Sequence, residues 1–259
     1  MTLIVLGAVS FIFILIERHP KLRLSSLPFL RPFFLSDLFY LLTGFIVGGS
    51  VTAAYFDYGS RIIGTTFGMR QLTLALPGWA LVLLALLALD AGNYFAHYLL
   101  HRFDALWEFH KVHHSSPLLD WLATFRSHIL EQTLRRLVAP ILLILLGFPT
   151  DAVLMAGAVF VAWGVFNHAN LIINLRFLEQ ILITPRLHRI HHLNEGPVRN
   201  LGAIFTLWDR MRGTFSTEEV DADSELGNGE SLQGCFPHCL SEGIAIRKTG
   251  FPPTFCSGR

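Results

Sequence analysis

Residues 97–114 read H-Y-L-L-H-R-F-D-A-L-W-E-F-H-K-V-H-H and contain five of the chain's twelve histidines, at 97, 101, 110, 113 and 114. A second stretch, H-R-I-H-H, supplies His188, His191 and His192. On a helix, His97 and His101 stand one turn apart, and His110, His113 and His114 fall at i, i+3 and i+4. Each set projects from one face, so each is expected to grip one metal ion. At this histidine content, chance supplies roughly 0.03 matches to H-x-x-H-H in the whole chain, whereas two are present. Imidazoles clustered in this way are hard to bury unless a cation satisfies their nitrogens.

Composition sets the surroundings of these clusters. Of 259 residues, 52% are hydrophobic and only 15% charged, and the mean hydropathy is +0.49. That is too apolar for an ordinary soluble domain and points to an integral membrane protein. A net charge of +1 without a basic stripe gives no case for a nucleic-acid partner, and none is expected. The three cysteines, 235, 239 and 256, all lie near the C-terminal end, so no disulfide framework holds the body and a reducing compartment is expected.

The apolar stretches predict an all-α membrane bundle of about four to five spans. Residues 1–16 are uncharged, with no basic segment before them and no clear small-residue cleavage site after, which favours a retained span over a signal peptide. Residues 38–56 and 71–89 are nineteen uncharged residues each, close to the ~20 needed to cross the hydrocarbon core. The 17–36 connector carries Arg18, Lys21, Arg23 and Arg31, whereas 57–70 carries Arg61 and Arg70. The first loop is therefore assigned to the cytoplasm and the second to the outside.

On that count the third span descends to the cytoplasmic face and continues into a stripe of Asp90, Asn93, Tyr94, His97 and His101. Between Leu137 and Leu175 only Asp151 is charged, and G-F-P-T-D at 147–151 reads as a tight turn. This predicts a helical hairpin that returns His168 to the same face, with a re-entrant hairpin as the alternative. Residues 171–186 read as an amphipathic interfacial helix. From Ser216 to Gly234 there are six acidic and no basic residues, which predicts disorder. The expected organisation is membrane spans over 1–90, a histidine-rich catalytic region over 91–215 and a disordered tail over 216–259.

Nine candidate ligands result: His97, His101, His110, His113, His114, His168, His188, His191 and His192. They are too many for one ion and suit two ions with four or five each. Imidazole accepts zinc, copper, iron or nickel, so ligand type leaves the metal open. A structural zinc site would take four ligands and usually recruit cysteine. Two ions held by neutral nitrogen donors beside an apolar bundle suit O2 activation next to a lipid. A dizinc hydrolase is the alternative, against which stands the lack of an H-E-x-x-H motif. A transition-metal carrier is another, and it would place ionisable residues at depth along its spans. Ring orientation needs acceptors behind the ligands. Asp90 and Asn93 share the face of His97 and His101, and Asn170 and Asp209 are further candidates. His128 reads as either a tenth ligand or a partner of Glu131.

The order D-A-G-N-Y-F-A-H-Y-L-L-H, W-E-F-H-K-V-H-H-S-S, F-N-H-A-N, T-P-R-L-H-R-I-H-H and N-L-G-A-I-F-T-L-W-D-R-M-R-G-T-F resembles the fatty acid hydroxylase/sterol desaturase superfamily of integral-membrane non-haem di-iron oxygenases. The resemblance covers about residues 80–215. It implies a helical membrane bundle whose cytosolic cap holds two iron ions, with zinc able to substitute in purified protein. It further implies O2, a lipid substrate (fatty acyl, sterol or related) that is hydroxylated or desaturated, and an external electron donor, cytochrome b5-like or ferredoxin-like. The membrane is then the bacterial inner membrane or the endoplasmic reticulum, with the site on its cytoplasmic face. Motif by motif, the resemblance makes ligands of His97 with His101, of His110 with His113 and His114, and of His188 with His191 and His192; His168 matches the additional histidine. Two features depart from it: Ile129 follows His128 where members commonly carry proline, and the chain beyond Phe215 matches nothing in the family's pattern.

Overall fold

A computed structural model describes residues 2–48, 50, 54, 58, 59, 61, 76–220 and 224–228. Most of the 57–70 connector, parts of the 38–56 and 71–89 stretches and the C-F-P-H-C segment at 235–239 lie outside the described residues. Among the described residues the chain is helical and has no β-strand, only isolated bridges.

The longest helix forms where leucine and alanine dominate. Following α1 (Thr2–Ile16) and α2 (Phe34–Thr43), α3 runs over Gly78–Arg102. Its 25 residues extend about 37 Å at 1.5 Å per residue. Pro77, in an extended conformation (φ −66°, ψ 148°), precedes its first turn. Helix therefore begins at Gly78 rather than at residue 71, and it continues without a break to the histidines. At Phe103 the backbone turns extended, and α4 (Asp104–His114) starts with an aspartate in its first turn, favourable at a helix N-terminus.

The expected hairpin is present but unequal. After α5 (Ile129–Val138), the arm before the turn is helical only over α6, Ile141–Leu145. Five residues reach about 8 Å, too short to cross a ~30 Å core. Gly147, at φ 65°, makes the turn, and α7 (Thr150–His168) returns over 19 residues. Ala85 of α3 packs with Leu143, Val153 and Ala156 in the core of this hairpin. Gly92 decides how closely α3 approaches the chain just before α6, because a Cβ there would stand 2.6 Å from the Cα of Ala139. The α5–α6 junction thus crosses α3 directly at a glycine, and α5 is brought alongside the histidines.

Among the described residues two helices, α3 and α7, are long and apolar enough to cross a membrane, while parts of two other expected spans lie outside the described residues. Their outward faces carry exposed Trp79, Leu83, Leu84, Leu154, Met155 and Val159. Both helices carry histidines in their C-terminal parts, so they run in the same direction toward one site.

Other expectations are corrected. Residues 171–186 are not an amphipathic helix: Leu171 bridges to Arg23, Leu182 bridges to Phe205, and only the 3-10 turn Leu178–Gln180 and the start of α8 (Pro185–His191) are helical. Ile172 N donates to the carbonyl of Leu22, Leu24 N to that of Asn170, Ile183 N to that of Ile204 and Thr206 N to that of Ile181, in place of a continuous i→i−4 ladder. Arg31, counted as a loop cation, is 3% exposed. Its guanidinium lies 2.7 Å from Asp37 and 2.5 Å from Asp120, and Arg126 lies 2.6 Å from Asp37. A buried ionic cluster of this kind ties α2 to the 120–126 loop instead of marking a membrane side. Only two short pieces of the acidic stretch are among the described residues. Residues 216–220 and 224–228 lie against the body, where Arg186 donates to the carbonyls of Thr217 and Glu218 and Arg199 pairs with Glu218. The contacts come from Arg186, at the start of α8, and from Arg199, beyond it.

Candidate metal centre

All nine predicted histidines come together in two groups. His97, His101, His110, His114 and His191 form one, and His113, His168, His188 and His192 the other; within each group the candidate ligand atoms lie within 4.8 Å of one another. The division does not follow the sequence segments. Each H-x-x-H-H gives its i, i+4 pair to one group and its middle histidine to the other. At 100° per residue, positions i and i+4 are about 40° apart around a helix, whereas i+3 points about 100° away from i+4. His110 and His114 thus share one group while His113 faces the second, and His188 and His192 share the second while His191 faces the first. The expectation that each segment grips its own ion is corrected: the segments interlock across both groups.

Five of the nine rings are aimed from behind through Nδ1. Nδ1–H of His97 donates to the carbonyl of Leu201 (2.8 Å), that of His113 to Arg126 (2.9 Å), that of His168 to Gly164 (2.9 Å) and that of His191 to Arg199 (2.8 Å). A carbonyl can only accept, which fixes the proton on Nδ1 and leaves a lone pair on Nε2. His110 Nδ1–H donates to Glu131 at 2.8 Å.

The Nε2 atoms then meet each other. Nε2 of His97 lies 3.0 Å from that of His110, and Nε2 of His113 lies 3.2 Å from that of His168. All four of these rings have already committed their proton to Nδ1, so no hydrogen bond joins either pair. Further Nε2 contacts run from His101 to His110 (3.0 Å), His168 to His188 (3.1 Å) and His188 to His192 (3.2 Å). Nε2 of His114 and of His191 are buried without a hydrogen-bond partner among the described residues.

Protonation does not relieve this arrangement. Burial, first of all, pushes His113 down to about 3 and His191 to about 4, and drives His110, His114, His188 and His192 well below the usual imidazole range. Converging, buried, unprotonated lone pairs are what a cation satisfies. The backbone adds to this: His101, His113 and His114, His168, and His188 and His191 all lie in the last turns of α3, α4, α7 and α8. Four helix C-termini, each carrying about half a negative charge, therefore converge where no aspartate or glutamate joins either group among the described residues. The donor set fits two divalent ions.

The other candidates act behind the rings or elsewhere. Asp90 accepts from the backbone of Ile204 and Phe205 and from Trp208 Nε1, at 2.8–3.0 Å. Asp209 accepts from the backbone of Leu201 and Gly202 (2.8 Å each) and from Thr214 Oγ1 (2.6 Å). Together they fix the 201–209 loop, including the carbonyl that holds His97. Asn93 accepts from Arg135 (3.0 Å), and Arg135 donates to Glu131 (3.0 Å), so a chain of contacts runs from α3 to His110. Asn170 bonds Ser25 and Glu17 rather than a ring. His128 belongs to neither group: it caps α5, its Nδ1 accepting from Leu130 N (3.2 Å), and its ring packs on Phe109. Glu131 is accordingly the partner of His110, not of His128. The spacing of Glu131 to Arg135 marks a helical ion pair, but nothing local connects it to residue 110. Trp107 packs on His101, His110 and His114 at 5.2–5.9 Å and flanks His101, the one half-buried ring of the nine.

Comparison with known proteins agrees with this geometry. The profile of the fatty acid hydroxylase family matches residues 82–214, just over half of the chain and the part that carries all nine histidines. Ornithine lipid hydroxylase OlsE of Rhizobium tropici is 35% identical over 182 residues, covering 64% of this chain and 55% of its own length. Alkylglycerol monooxygenases of Danio rerio and Homo sapiens are 34% and 31% identical over 145 and 137 residues, each covering 52% of this chain and 30% of their own length. The chain thus spans between about a third and about half the length of these relatives. No solved structure matches it. On the extent of the profile match and the convergence of its histidines, the chain belongs to the fatty acid hydroxylase family.

Proposed function

We propose that this protein is a membrane-embedded lipid hydroxylase whose nine clustered histidines hold two iron ions. The observation that carries the reading is the facing of Nε2 lone pairs, His97 to His110 and His113 to His168, in rings whose protons are already engaged. When bound, an iron pair supplies activation of O2, with two electrons from a separate donor, so that one oxygen atom enters a C–H bond. The relatives' names, an ornithine lipid hydroxylase and alkylglycerol monooxygenases, favour hydroxylation over desaturation and a polar lipid as substrate.

The chain's own residues do three things in this scheme. The carbonyls of Leu201, Arg126, Gly164 and Arg199, with Glu131, lock ring direction so that little reorganisation accompanies metal binding. The convergence of helix C-termini lowers the cost of placing positive charge among neutral donors. Burial of eight of the nine rings, with His101 half-buried beside Trp107, keeps bulk water from the site. The clusters lie at the C-terminal ends of α3 and α7, whose outward faces are apolar. This supports a site at the membrane surface, which the loop charges assign to the cytoplasmic side, with the region around the clusters forming the cytosolic cap.

The test is metal and product together. Protein purified from iron-supplemented cells should hold about two irons per chain, and His113→Ala and His191→Ala should each abolish O2-dependent hydroxylation in a lipid extract supplied with a reductant. A chain that takes up no iron, or variants that hydroxylate normally, overturns the reading.

A further inference from the structure

The family match ends at residue 214, yet a later segment lies across both histidine segments. The amide of Asn194 donates to the carbonyl of Glu225 (3.1 Å), and that of Gly227 to the carbonyl of His192 (3.0 Å). Leu226 forms a bridge with Leu193, and Asn228 Nδ2 donates to the carbonyl of Lys111 (3.1 Å). Residues 224–228 therefore bond the end of the second H-x-x-H-H on one side and reach α4, which carries the first, on the other.

At the centre of this crossing is Gly227. Its φ is +105°, a conformation that side chains resist, and a Cβ there would stand 3.3 Å from the carbonyl oxygen of His114 and 3.5 Å from that of Ser116. Of the residues it meets, two couple the groups: His114, whose carbonyl it approaches, belongs to one and His192, whose carbonyl accepts its amide, to the other, and their rings stack at 4.4 Å with an interplanar angle of 27°. A side chain at 227 would be strained by the positive φ and would press at 3.3 Å on the carbonyl of His114, on a segment whose amide is held by the carbonyl of His192.

We propose that residues 224–228 are a strap that holds the two histidine segments at the separation a metal pair needs, with Gly227 as its positioning residue. The strap touches no metal; it acts through the backbones of His114 and His192. It rests on the dimetal reading above. Because the strap spans both groups, metal binding and strap closure support one another: ions drawing the segments together fix the surface on which the strap lies, and the closed strap limits how far the segments separate.

Full-length protein in detergent, titrated with cobalt(II) alone, tests this. The wild type should take up two equivalents, and Gly227→Val should bind at least one of them about tenfold or more weakly with a changed visible absorption spectrum. Gly227→Ala should fall between them. In the wild type, cobalt should slow hydrogen exchange at the Gly227 amide by about tenfold or more. The exchange measurement stands even where the valine variant fails to fold. Unchanged affinity and spectrum in Gly227→Val, or exchange at Gly227 indifferent to metal, overturns the strap while leaving the dimetal site intact. A wild type that binds no cobalt removes the dimetal site and the strap with it.

Discussion

Among the described residues Glu131 is the one carboxylate hydrogen-bonded to a candidate ligand ring, and removing it has a calculable consequence. Its Oε1 accepts from His110 Nδ1 at 2.8 Å, with side-chain exposures of 2% and 0%, and from Arg135 Nε at 3.0 Å. A hydrogen bond to a charged group contributes about 1.5–3 kcal/mol, which corresponds to about 10–100-fold in metal affinity when the bond orients a ligand. Glu131→Ala should weaken one of two cobalt(II) equivalents by that factor, because His110 serves only the five-histidine group. The second equivalent should stay within about threefold of wild type. Glu131→Gln keeps an acceptor for Nδ1–H without the charge and should lose less. Arg135 would be left without its carboxylate in both variants, so Glu131→Ala combined with Arg135→Met should recover part of the stability but not the affinity. Competition against a chromophoric chelator gives both constants, and thermal unfolding gives the stability. Two equivalents weakened equally, or neither, would refute the assignment of Glu131 to one group and leave it a residue that merely holds α5.

Further outcomes follow from the packing and the buried charges. Gly92→Val places a side chain where a Cβ alone stands 2.6 Å from Ala139 Cα; it should destabilise the fold by about 1–3 kcal/mol or more, read as a lower melting temperature with or without metal. Asp209→Ala removes the acceptor of Leu201 N, Gly202 N and Thr214 Oγ1. The loop holding His97 then loosens, and both metal affinity and melting temperature should fall; a normal affinity would show that the loop is held without it. Glu17 is buried and accepts from Trp121 N and Asn170 N, and burial, with Asp120 nearby, raises its carboxyl to about 8. A raised carboxyl favours folding fully below about pH 4.5 and progressively less as pH climbs toward 8. Glu17→Gln should therefore exceed wild type in stability by about 1–3 kcal/mol at pH 8, with the gap closing toward pH 5. A pH-independent difference would mean that Glu17 stays ionised in the fold.

The histidine content and its spacing decided much of this protein before any tertiary contact was known. Direction around one helix is a local property, set by 100° per residue, so residues 97–114 and 188–192 were legible as ligand-bearing surfaces, and nine imidazoles implied two ions. The apolar stretch 71–89 and its helical continuation through Asp90, Asn93, His97 and His101 were likewise legible, although the start at Gly78 was not. What lies between segments was not legible. Which group the middle histidine of each H-x-x-H-H joins depends on how two helices face each other, and that orientation has no local signature. The carbonyls of Leu201, Arg126, Gly164 and Arg199 are available on any chain; only the crossing of a distant segment behind the ring makes them anchors. Arg31 reads as a loop cation until Asp37 and Asp120 close around it. In the same way Ser216 onward reads as a solvated acidic tail until Arg186 and Arg199, set in place by the second histidine segment, give it a surface to lie on.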